Sequence, residues 1–473
     1  MGFARPFGPV GLSHSVNAPQ NAQSKSARHA RDYGVGLPAR RAAVLLLGAV
    51  LKDRQPLDDA LVDSRAAREM VSLAARDRAL ARAIASTTLR RKGQLDAVLD
   101  HFLGKKLPRS SGPLREILLV AACQLLFLDT PHHAAIDLAV RQAKQDRKAR
   151  HFDKLANAVL RRVASQGPAL IAAQDAGALN TPPWLWKRWR KAYGEDVARR
   201  IADAHLSEAA LDLTLKGDPE KWAGRLGGTV LDTGSLRLAS KGRIEKLDGY
   251  DEGEWWVQDA AAALPARLLG CVAGQRVADL CAAPGGKTAQ LVHAGGDVTA
   301  VDASPRRLER LKENLKRLGL TARVIAADAA AWRPDTRFDA VLLDAPCTGT
   351  GTLRRHPDIA HLKGPKDLAE LTALQTRLLR HAVSLVRPGG RLVYCTCSLE
   401  REEGEDQIAA LLGENPGIRP DPIRSREISG HDSWLNDDGA LRTLPFDFNA
   451  GVAKMAGIDG FFAARLIIHD GGK

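Results

Sequence analysis

Hydrophobic and polar positions follow a helical period from Leu37 for about 130 residues. Apolar side chains recur at spacings of three and four at Val44, Leu47 and Leu51, as on the buried face of a helix. Pro38 suits the first turn of that helix. Further amphipathic stretches occupy residues 75–89, 95–103, 113–128, 133–143 and 152–163. The pattern predicts an all-helical bundle over residues 36–168.

A shorter mixed segment follows the predicted bundle. Residues 218–226 have a helical pattern, and the strand-like runs lie at residues 211–216, 229–234 and 235–239. These elements predict a small α+β module over residues 169–250.

From Trp256 onward, strand and helix patterns alternate. Apolar runs lie at residues 277–280, 298–301, 323–326, 339–343, 391–395 and 461–467. Helical stretches lie between them at residues 287–293, 305–318, 366–386 and 402–412. Such alternation predicts a mostly parallel sheet with helices on both faces, and hence an α/β domain over residues 251–473.

Charge separates the two halves of the chain. The 473 residues carry a formal charge of +14, but residues 1–200 carry +17 and residues 201–473 carry −3. A basic half beside a near-neutral half points to a polyanionic partner, with nucleic acid as the first candidate, because polyanions are held through phosphate neutralisation. The alternative is a solvated basic face without a partner.

Composition also limits the location of the protein. The longest apolar run, residues 42–51, has ten residues, fewer than a membrane-spanning helix needs. Six scattered cysteines form neither a disulfide framework nor a zinc-binding CxxC pair, so we expect a cytoplasmic protein with no metal site. Residues 1–35 lack the apolar core of a signal peptide, and we interpret them as a disordered tail.

Three tryptophans alternate with cations in the segment NTPPWLWKRWRKAY, residues 180–193. Trp184, Trp186 and Trp189 are at helical spacing, which favours packing on a core. Aromatic rings among Lys and Arg also suit stacking on unpaired RNA bases. Both interpretations remain open at the level of sequence.

The stretch VADLCAAPGGKTAQLVHAGGDVTAVD, residues 277–302, has the order strand, glycine turn, helix and strand. Acidic residues lie in or after three successive predicted strands, at Asp279, Asp302 and Asp328. In a doubly wound sheet the carboxyl ends of the strands line one crevice, and acids there can accept ribose hydroxyls or an adenine amine. The turn brings backbone close to a ligand because glycine has no side chain. The combination predicts a cofactor that contains adenosine.

A phosphate-binding loop is the alternative for the same stretch. CAAPGGKT, residues 281–288, differs from that loop at Cys281, where glycine is required. Pro284 also removes an amide that a phosphate cradle would use, and Asp302 would have no role.

Two cysteines follow two successive strands, in DAPCTGTG (residues 344–351) and YCTCSLE (residues 394–400). A buried cysteine is most often an inert small hydrophobe. Two of them at strand ends beside a cofactor turn suggest covalent chemistry, because a thiolate is a strong nucleophile that is favoured near cations such as Lys287.

The motifs LCAAPGGKT, VDAS, DAPCTGTG, RRHPDI and TCS together resemble those of the bacterial RNA 5-methylcytosine methyltransferases that act on 16S ribosomal RNA. Residues 76–99 and 154–162 are similar to the NusB-type RNA-binding bundle. The resemblance runs from about residue 36 to DGFFAARL at residues 459–466. It implies a multidomain protein in which an all-α NusB-like bundle precedes the small α+β module and an α/β Rossmann-like class I methyltransferase domain.

Specific roles are implied by the resemblance alone. S-adenosylmethionine would be bound by Cys281, Ala282, Ala283, Pro284, Gly285, Gly286, Lys287, Asp302, Asp328 and Asp344. Cys397 would attack carbon 6 of the target cytosine, so that carbon 5 can take the methyl group. Cys347 would assist proton removal or product release, and Asp344 would also contact the cytosine amino group or ring nitrogen.

Two positions depart from the family pattern. Cys395 is an additional thiol two residues before Cys397, and Gly404 stands where asparagine usually follows the paired acids. We expect Cys395 to pack in the core and Gly404 to affect only the start of the next helix. We also expect a monomer that binds RNA and no membrane. An RNA-stimulated NTPase and a non-enzymatic RNA-binding regulator are the alternative functions.

Overall fold

The computed structural model describes residues 36–239, 242–448 and 455–469. Residues 1–35, for which the sequence predicts a disordered tail, lie outside this range. The described chain begins with helices and continues into two β-sheets. No helix in the described ranges is both long and apolar enough to cross a membrane.

The first part of the chain is helical from residue 37 to residue 205, whereas the sequence predicts an all-helical bundle only over residues 36–168. Its helices are α1 (Leu37–Leu51), α2 (Leu57–Val62), α3 (Arg65–Val71), α4 (Ala75–Arg90), α5 (Lys92–Leu103), α6 (Leu114–Leu126), α7 (His132–Gln145), α8 (Asp153–Ala172), α9 (Ala176–Asn180), α10 (Pro183–Tyr193) and α11 (Glu195–His205). Helix α6 is apolar on nearly every side and is buried among its neighbours, as expected for such a helix. Helices α2, α3, α9 and α11 were not predicted. Six and seven residues, in α2 and α3, are too few to show a period.

The small module is a four-stranded antiparallel sheet with one helix. It contains β1 (Leu211–Leu215), α12 (Pro219–Leu226), β2 (Thr229–Val230), β3 (Leu236–Leu238) and β4 (Trp255–Val257). The strand order is β2-β3-β1-β4. Strand β4 was not predicted, and it extends the sheet beyond residue 250, where the sequence pattern places the end of the module.

The remaining elements form an eight-stranded sheet and its helices. They are α13 (Leu264–Leu268), β5 (Arg276–Leu280), α14 (Gly286–His293), β6 (Asp297–Asp302), α15 (Pro305–Arg317), β7 (Arg323–Ala326), β8 (Phe338–Asp344), α16 (Ile359–Leu362), α17 (Pro365–Leu385), β9 (Val386–Thr396), α18 (Glu405–Glu414), β10 (Ile418–Pro420), β11 (Leu441–Thr443) and β12 (Phe461–Ile468). The main path runs β10-β12-β9-β8-β5-β6-β7, with β11 paired to β12. Strands β5 to β9 are parallel to one another, whereas β12 pairs antiparallel with β9, β10 and β11.

Both faces of this sheet are covered, which confirms the Rossmann-like α/β prediction. On one face Val277, Leu342 and Val393 pack with α13 and α14. Their neighbours in sequence point to the opposite face and pack with α17 and α18. A strand buried on both faces must be apolar at successive positions, which explains the continuous apolar runs in the sequence.

The helical bundle contacts the domain of the eight-stranded sheet through the segment RRHPDI, residues 354–359. The amide of Leu57 donates to Asp358 Oδ2 (3.0 Å), and Arg90 donates to the carbonyl of Arg354 (2.6 Å). His361 Nε2 lies 2.9 Å from the carbonyl of Leu89. The bundle therefore rests on the chain that continues directly from the Cys347 loop.

A buried ion pair joins two strands of the small module. Arg237 donates to both carboxylate oxygens of Asp212 (2.6 and 2.7 Å), and both side chains are at most 1% exposed. Arg237 also donates to the carbonyls of Met455 and Gly457, which precede strand β12 of the eight-stranded sheet. The pair thus fixes the module against the part of the chain that contains this sheet.

We predict that Arg237→Met lowers the free energy of unfolding by about 3–5 kcal/mol, because it leaves the Asp212 carboxylate buried without its partner. The control is Arg225→Met, which removes an exposed pair with Asp248 and should cost under about 1 kcal/mol. Urea unfolding followed by circular dichroism measures both variants. Equal losses for the two would contradict the role assigned to the buried pair.

Candidate active site

The candidate site lies where the carboxyl ends of four parallel strands meet. A turn follows β5, Asp302 ends β6, Asp344 ends β8, and Cys397 follows the last residue of β9. In the β8–β9 pairing, Asp344 lies opposite Cys395. The sheet therefore gathers groups that are more than one hundred residues apart in sequence at a single edge.

The turn after β5 is closed by backbone hydrogen bonds. The amide of Ala282 donates to Val301 O (3.1 Å), and the amide of Gly285 donates to Ala282 O (2.9 Å). Gly285 has a φ of 100°, and an added Cβ would lie 2.9 Å from Leu311 Cγ. Helix α14 begins directly after it at Gly286. The turn thus leaves its backbone free of side chains over Gly285 and Gly286.

Asp302 is almost fully buried beside this turn. Its Oδ2 accepts from the amide of Ala283 (3.2 Å) and pairs with Arg307 (3.2 Å), and its Oδ1 accepts from the amide of Ser304 (2.9 Å). Ser304 also caps α15 by accepting from the amide of Arg307 (3.3 Å). These contacts fix a carboxylate at the end of β6, where a ribose would need a hydrogen-bond acceptor.

Asp279 supports the same turn from inside the sheet. Its Oδ2 accepts from Thr288 Oγ1 (2.5 Å), and its Oδ1 has no hydrogen-bond partner among the described residues. Burial raises the pKa of Asp279 to about 7. The sequence places Asp279 with the cofactor acids, whereas the structure shows a side chain that anchors α14.

The other predicted cofactor residues differ in exposure. Asp328 lies just beyond β7, is exposed, and accepts from the amide of Ala330 (2.9 Å). Cys281 adopts a φ of 60°, and burial raises the pKa of its thiol to about 12. Ala282 and Ala283 are buried, and the carbonyl of Pro284 accepts from Asn314 Nδ2 (3.0 Å).

Lys287 and Asp344 form an ion pair at the centre of the edge. Lys287 Nζ lies 2.7 Å from Asp344 Oδ2. Burial opposes the charged form of Lys287, but Asp344 outweighs that effect and raises the pKa of the ammonium. The sequence predicts that Lys287 favours a nearby thiolate. In the structure Lys287 instead forms its ion pair with the Asp344 carboxylate.

Cys347 and Cys397 face each other, with their sulfur atoms 3.4 Å apart. Both side chains are partly exposed. Their loops are joined by the hydrogen bonds from Gly351 N to Cys397 O (3.0 Å) and from Leu399 N to Thr350 Oγ1 (2.9 Å). The two thiols can therefore act on one bound molecule.

Cys395 differs from these two cysteines because it is fully buried. Its thiol donates to Asp344 Oδ1 at 3.5 Å, and burial raises its pKa above the ordinary value. A buried thiol that is bonded to a carboxylate resists ionisation, so Cys395 is not placed as a second nucleophile.

Helix α10, which carries the tryptophans, packs against the segment after Cys397. Trp189 Nε1 donates to Glu400 Oε1 (3.0 Å), and Arg188 pairs with Glu400 Oε2 (2.5 Å). The hydroxyl of Tyr193 donates to the carbonyl of Leu399 (2.5 Å). Packing is thus the role of Trp189, and the helix supports the loop that contains Cys397.

The backbone at Gly404 packs directly against two buried side chains. A Cβ at this position would lie 2.8 Å from both Arg442 Nη2 and Phe462 Cγ. Arg442 also donates to the carbonyl of Ser398 (2.5 Å), directly after Cys397. The glycine allows these buried side chains to close over the start of α18.

Several groups around the thiols were not predicted from the sequence. Glu403 is buried although it lies in the charged segment REEGEDQ, residues 401–407, and Glu400, the last residue of YCTCSLE, is buried as well. Within the described residues, no group of three or more His, Cys, Asp or Glu side chains is arranged to hold a metal ion.

Comparisons with known proteins agree with this geometry. Residues 266–467 match the family model for the 16S rRNA methyltransferase RsmB/F, and residues 37–165 match that of the NusB family. Ribosomal RNA small subunit methyltransferase B of Xanthomonas campestris is 36% identical over 458 residues, which are 93% of this chain and 99% of the relative. The corresponding protein of Sodalis glossinidius is 34% identical over 84% of this chain and 90% of its own length.

Solved structures give the same fold. The crystal structure of PH0851 has a TM-score of 0.71 at 24% identity, and the match covers 92% of this chain and 99% of that one. A methyltransferase homolog protein from Pyrococcus horikoshii has a TM-score of 0.50 at 27% identity, over 60% of this chain and 93% of that one. With the family models and relatives of at least 34% identity along most of the sequence, the chain belongs to the 16S rRNA methyltransferase RsmB/F family.

Proposed function

We propose that the chain transfers a methyl group from S-adenosylmethionine to carbon 5 of a cytosine in RNA, and that Cys397 forms a transient bond to carbon 6. The observation that carries this proposal is the 3.4 Å approach of the Cys347 and Cys397 sulfur atoms, beside the turn after β5. The chain's relatives are named for methylation of small-subunit ribosomal RNA, so 16S ribosomal RNA is the proposed substrate.

The residues present fit an adenosine-containing methyl donor. Gly285 and Gly286 form a cradle of backbone without side chains, and Asp302 offers a buried carboxylate next to it. S-adenosylmethionine, when bound, supplies a methyl group activated by a sulfonium. The residues proposed to hold it are Cys281, Ala282, Ala283, Pro284, Gly285, Gly286, Lys287, Asp302, Asp328 and Asp344.

Cys397 is the proposed nucleophile because carbon 5 of cytosine is too poor in electrons to accept a methyl group unaided. The thiolate of Cys397 gives its electron pair to carbon 6, and the electrons of the 5,6 double bond move to carbon 5. Asp344 is proposed to accept a hydrogen bond from the cytosine amino group, while its Oδ2 pairs with the ammonium of Lys287 at 2.7 Å.

The product is released when the bond between the Cys397 sulfur and carbon 6 breaks again. Solvent water accepts the proton from carbon 5, and the electrons of the broken carbon–hydrogen bond restore the 5,6 double bond. The bond between sulfur and carbon 6 breaks at the same time, and its electron pair returns to Cys397. Cys347 is proposed to assist this step, and its 3.4 Å distance from the leaving sulfur supports that role.

Residues 36–168 and 169–250 are proposed to bring RNA to the catalytic domain at residues 251–473. The formal charge of +17 on residues 1–200 supports this division, because phosphates attract such a surface. A monomer in the cytoplasm is part of the same proposal. The alternatives of an NTPase and of a binding-only regulator have no comparable support, because the methyltransferase model spans residues 266–467.

Replacing the nucleophile should abolish methylation without unfolding the protein. We expect Cys397→Ala to lower the rate of tritium transfer from labelled S-adenosylmethionine to 16S RNA by roughly 10⁴-fold or more, since a covalent step is lost. Cys271→Ala, which removes an exposed cysteine, is the control and should behave like the wild type. Normal turnover by Cys397→Ala would reject the assignment.

Replacing the second thiol should block release rather than attack. We expect Cys347→Ala to accumulate a protein–RNA complex that survives a denaturing gel, because the bond from Cys397 to carbon 6 forms but breaks slowly. If Cys397→Ala accumulates the complex instead, the roles of the two cysteines must be exchanged.

Crowding the turn should weaken cofactor binding. An alanine side chain at residue 285 combines a left-handed φ with a contact to Leu311, a strain of roughly 1–3 kcal/mol. We expect Gly285→Ala to lower the affinity for S-adenosylmethionine about tenfold, as 1.4 kcal/mol does, when measured by isothermal titration calorimetry. Gly274→Ala is the control, because Gly274 has a φ of 71° with no atom close to an added Cβ. Equal affinities for the two variants would contradict the proposed cradle.

A further inference from the structure

Behind Cys347 lies a carboxylate that the proposed reaction does not use. Glu403 is fully buried, and its Oε1 accepts from the amide of Thr348 (2.9 Å) and from Gln375 Nε2 (3.0 Å). Its Oε2 accepts from the same amide (3.2 Å) and from the hydroxyl of Thr348. The residue before Thr348 is Cys347, so this carboxylate holds the Cys347 loop from the inside.

Glu403 also binds the strand that leads to Cys397. Its backbone carbonyl accepts from the hydroxyls of Tyr394 (2.8 Å) and Thr396 (3.2 Å). Between the two loops, Ser398 Oγ lies 3.3 Å from the hydroxyls of both Thr348 and Thr350. One residue therefore fixes the spacing between the two cysteines.

Among the described residues, the side chain of Glu403 has no cationic partner. In the part of the chain that the structure describes, Glu403 forms no ion pair with Lys, Arg or His, and its carboxylate is held by neutral donors alone. A charge buried in this way costs stability. A neutral side chain of the same shape would avoid that cost, which indicates that the carboxylate has a role beyond packing.

The site next to this charge is a pair of thiols. Two thiols 3.4 Å apart cannot both be ionised, because like charges at that distance repel strongly. The carboxylate contacts the Cys347 loop, where it disfavours a second negative charge. The hydrogen bond with Cys397, burial, and the charges of Cys397 and Glu403 raise the pKa of Cys347 well above its ordinary value.

We propose that Glu403 is a positioning residue that holds Cys347 beside Cys397 as a neutral thiol, so that the thiolate and the attack belong to Cys397. This inference rests on the proposed function for the roles of the two sulfurs. A neutral Cys347 can donate its hydrogen to the Cys397 sulfur, and such a bond stabilises the thiolate both before attack and when it leaves.

The test compares the reactivities of the two thiols in the full-length chain without cofactor or RNA. The protein is treated with a limiting amount of iodoacetamide, and mass spectrometry gives the rates of alkylation at Cys347 and Cys397. The variants are Glu403→Gln, which removes the charge, and Glu403→Asp, which keeps it but moves it away from Thr348. The control is Glu402→Gln, because Glu402 is 45% exposed and pairs with Arg188 instead.

We expect Cys397 to be alkylated first in the wild type and in the Glu402→Gln control. In Glu403→Gln the ratio of alkylation at Cys347 to that at Cys397 should rise about tenfold, and in Glu403→Asp it should rise less. A role limited to structure would raise both rates together, so an unchanged ratio would overturn the proposal. If Glu403→Gln does not fold, an unchanged ratio in Glu403→Asp overturns it as well.

A second readout connects this inference to catalysis. We expect Glu403→Gln to accumulate the denaturant-resistant complex with RNA, and the double variant with Cys347→Ala to accumulate no more than Cys347→Ala alone. Alkylation requires no methylation, so a changed ratio without any RNA complex would refute the proposed reaction and leave the role of Glu403 standing. An RNA complex together with an unchanged alkylation ratio would refute the role of Glu403 and leave the proposed reaction standing.

Discussion

The close approach of two sulfur atoms is the constraint on which the rest of the site depends. Strands β8 and β9 are parallel neighbours, and each ends just before a loop that carries one cysteine. Sheet pairing brings the loops side by side, and hydroxyl groups from Thr350 and Ser398 join them. A difference of one residue in register would turn one thiol to the other face of the sheet. The apolar strands of the core therefore determine the distance between the reacting groups.

The charged side chains around the two thiols are held separately, each by its own hydrogen bonds or ion pair. Lys287 is paired with Asp344, and Asp302 is bonded by the turn and Arg307. In the part of the chain that the structure describes, Glu403 has no cation beside it on the Cys347 side. The helical part reaches the same region through Glu400, which Arg188 and Trp189 of α10 hold in place. A contact of RNA with α10 would therefore affect the position of the loop that follows Cys397.

Sequence patterns predicted the architecture because the longer elements have clear periods. The parallel strands and the helices between them lie within a few residues of their expected places, and the helical bundle matches as well. Short elements were missed, since α2, α3, β4, β10 and β11 contain too few residues to show a period. The Trp189–Glu400 contact was missed because its partners are 211 residues apart, and nothing local marks them. Glu403 was missed because a run of acids gives no sign of which side chain is buried.

The central claim is that Cys397 makes the bond to the pyrimidine. A direct measurement uses 16S RNA that contains 5-fluorocytosine, in which fluorine on carbon 5 prevents the proton loss needed for release. After incubation with S-adenosylmethionine and protease digestion, mass spectrometry identifies the residue that carries the nucleotide. The account predicts attachment at Cys397. Attachment at Cys347, or no attachment despite methylation of normal RNA, would contradict it.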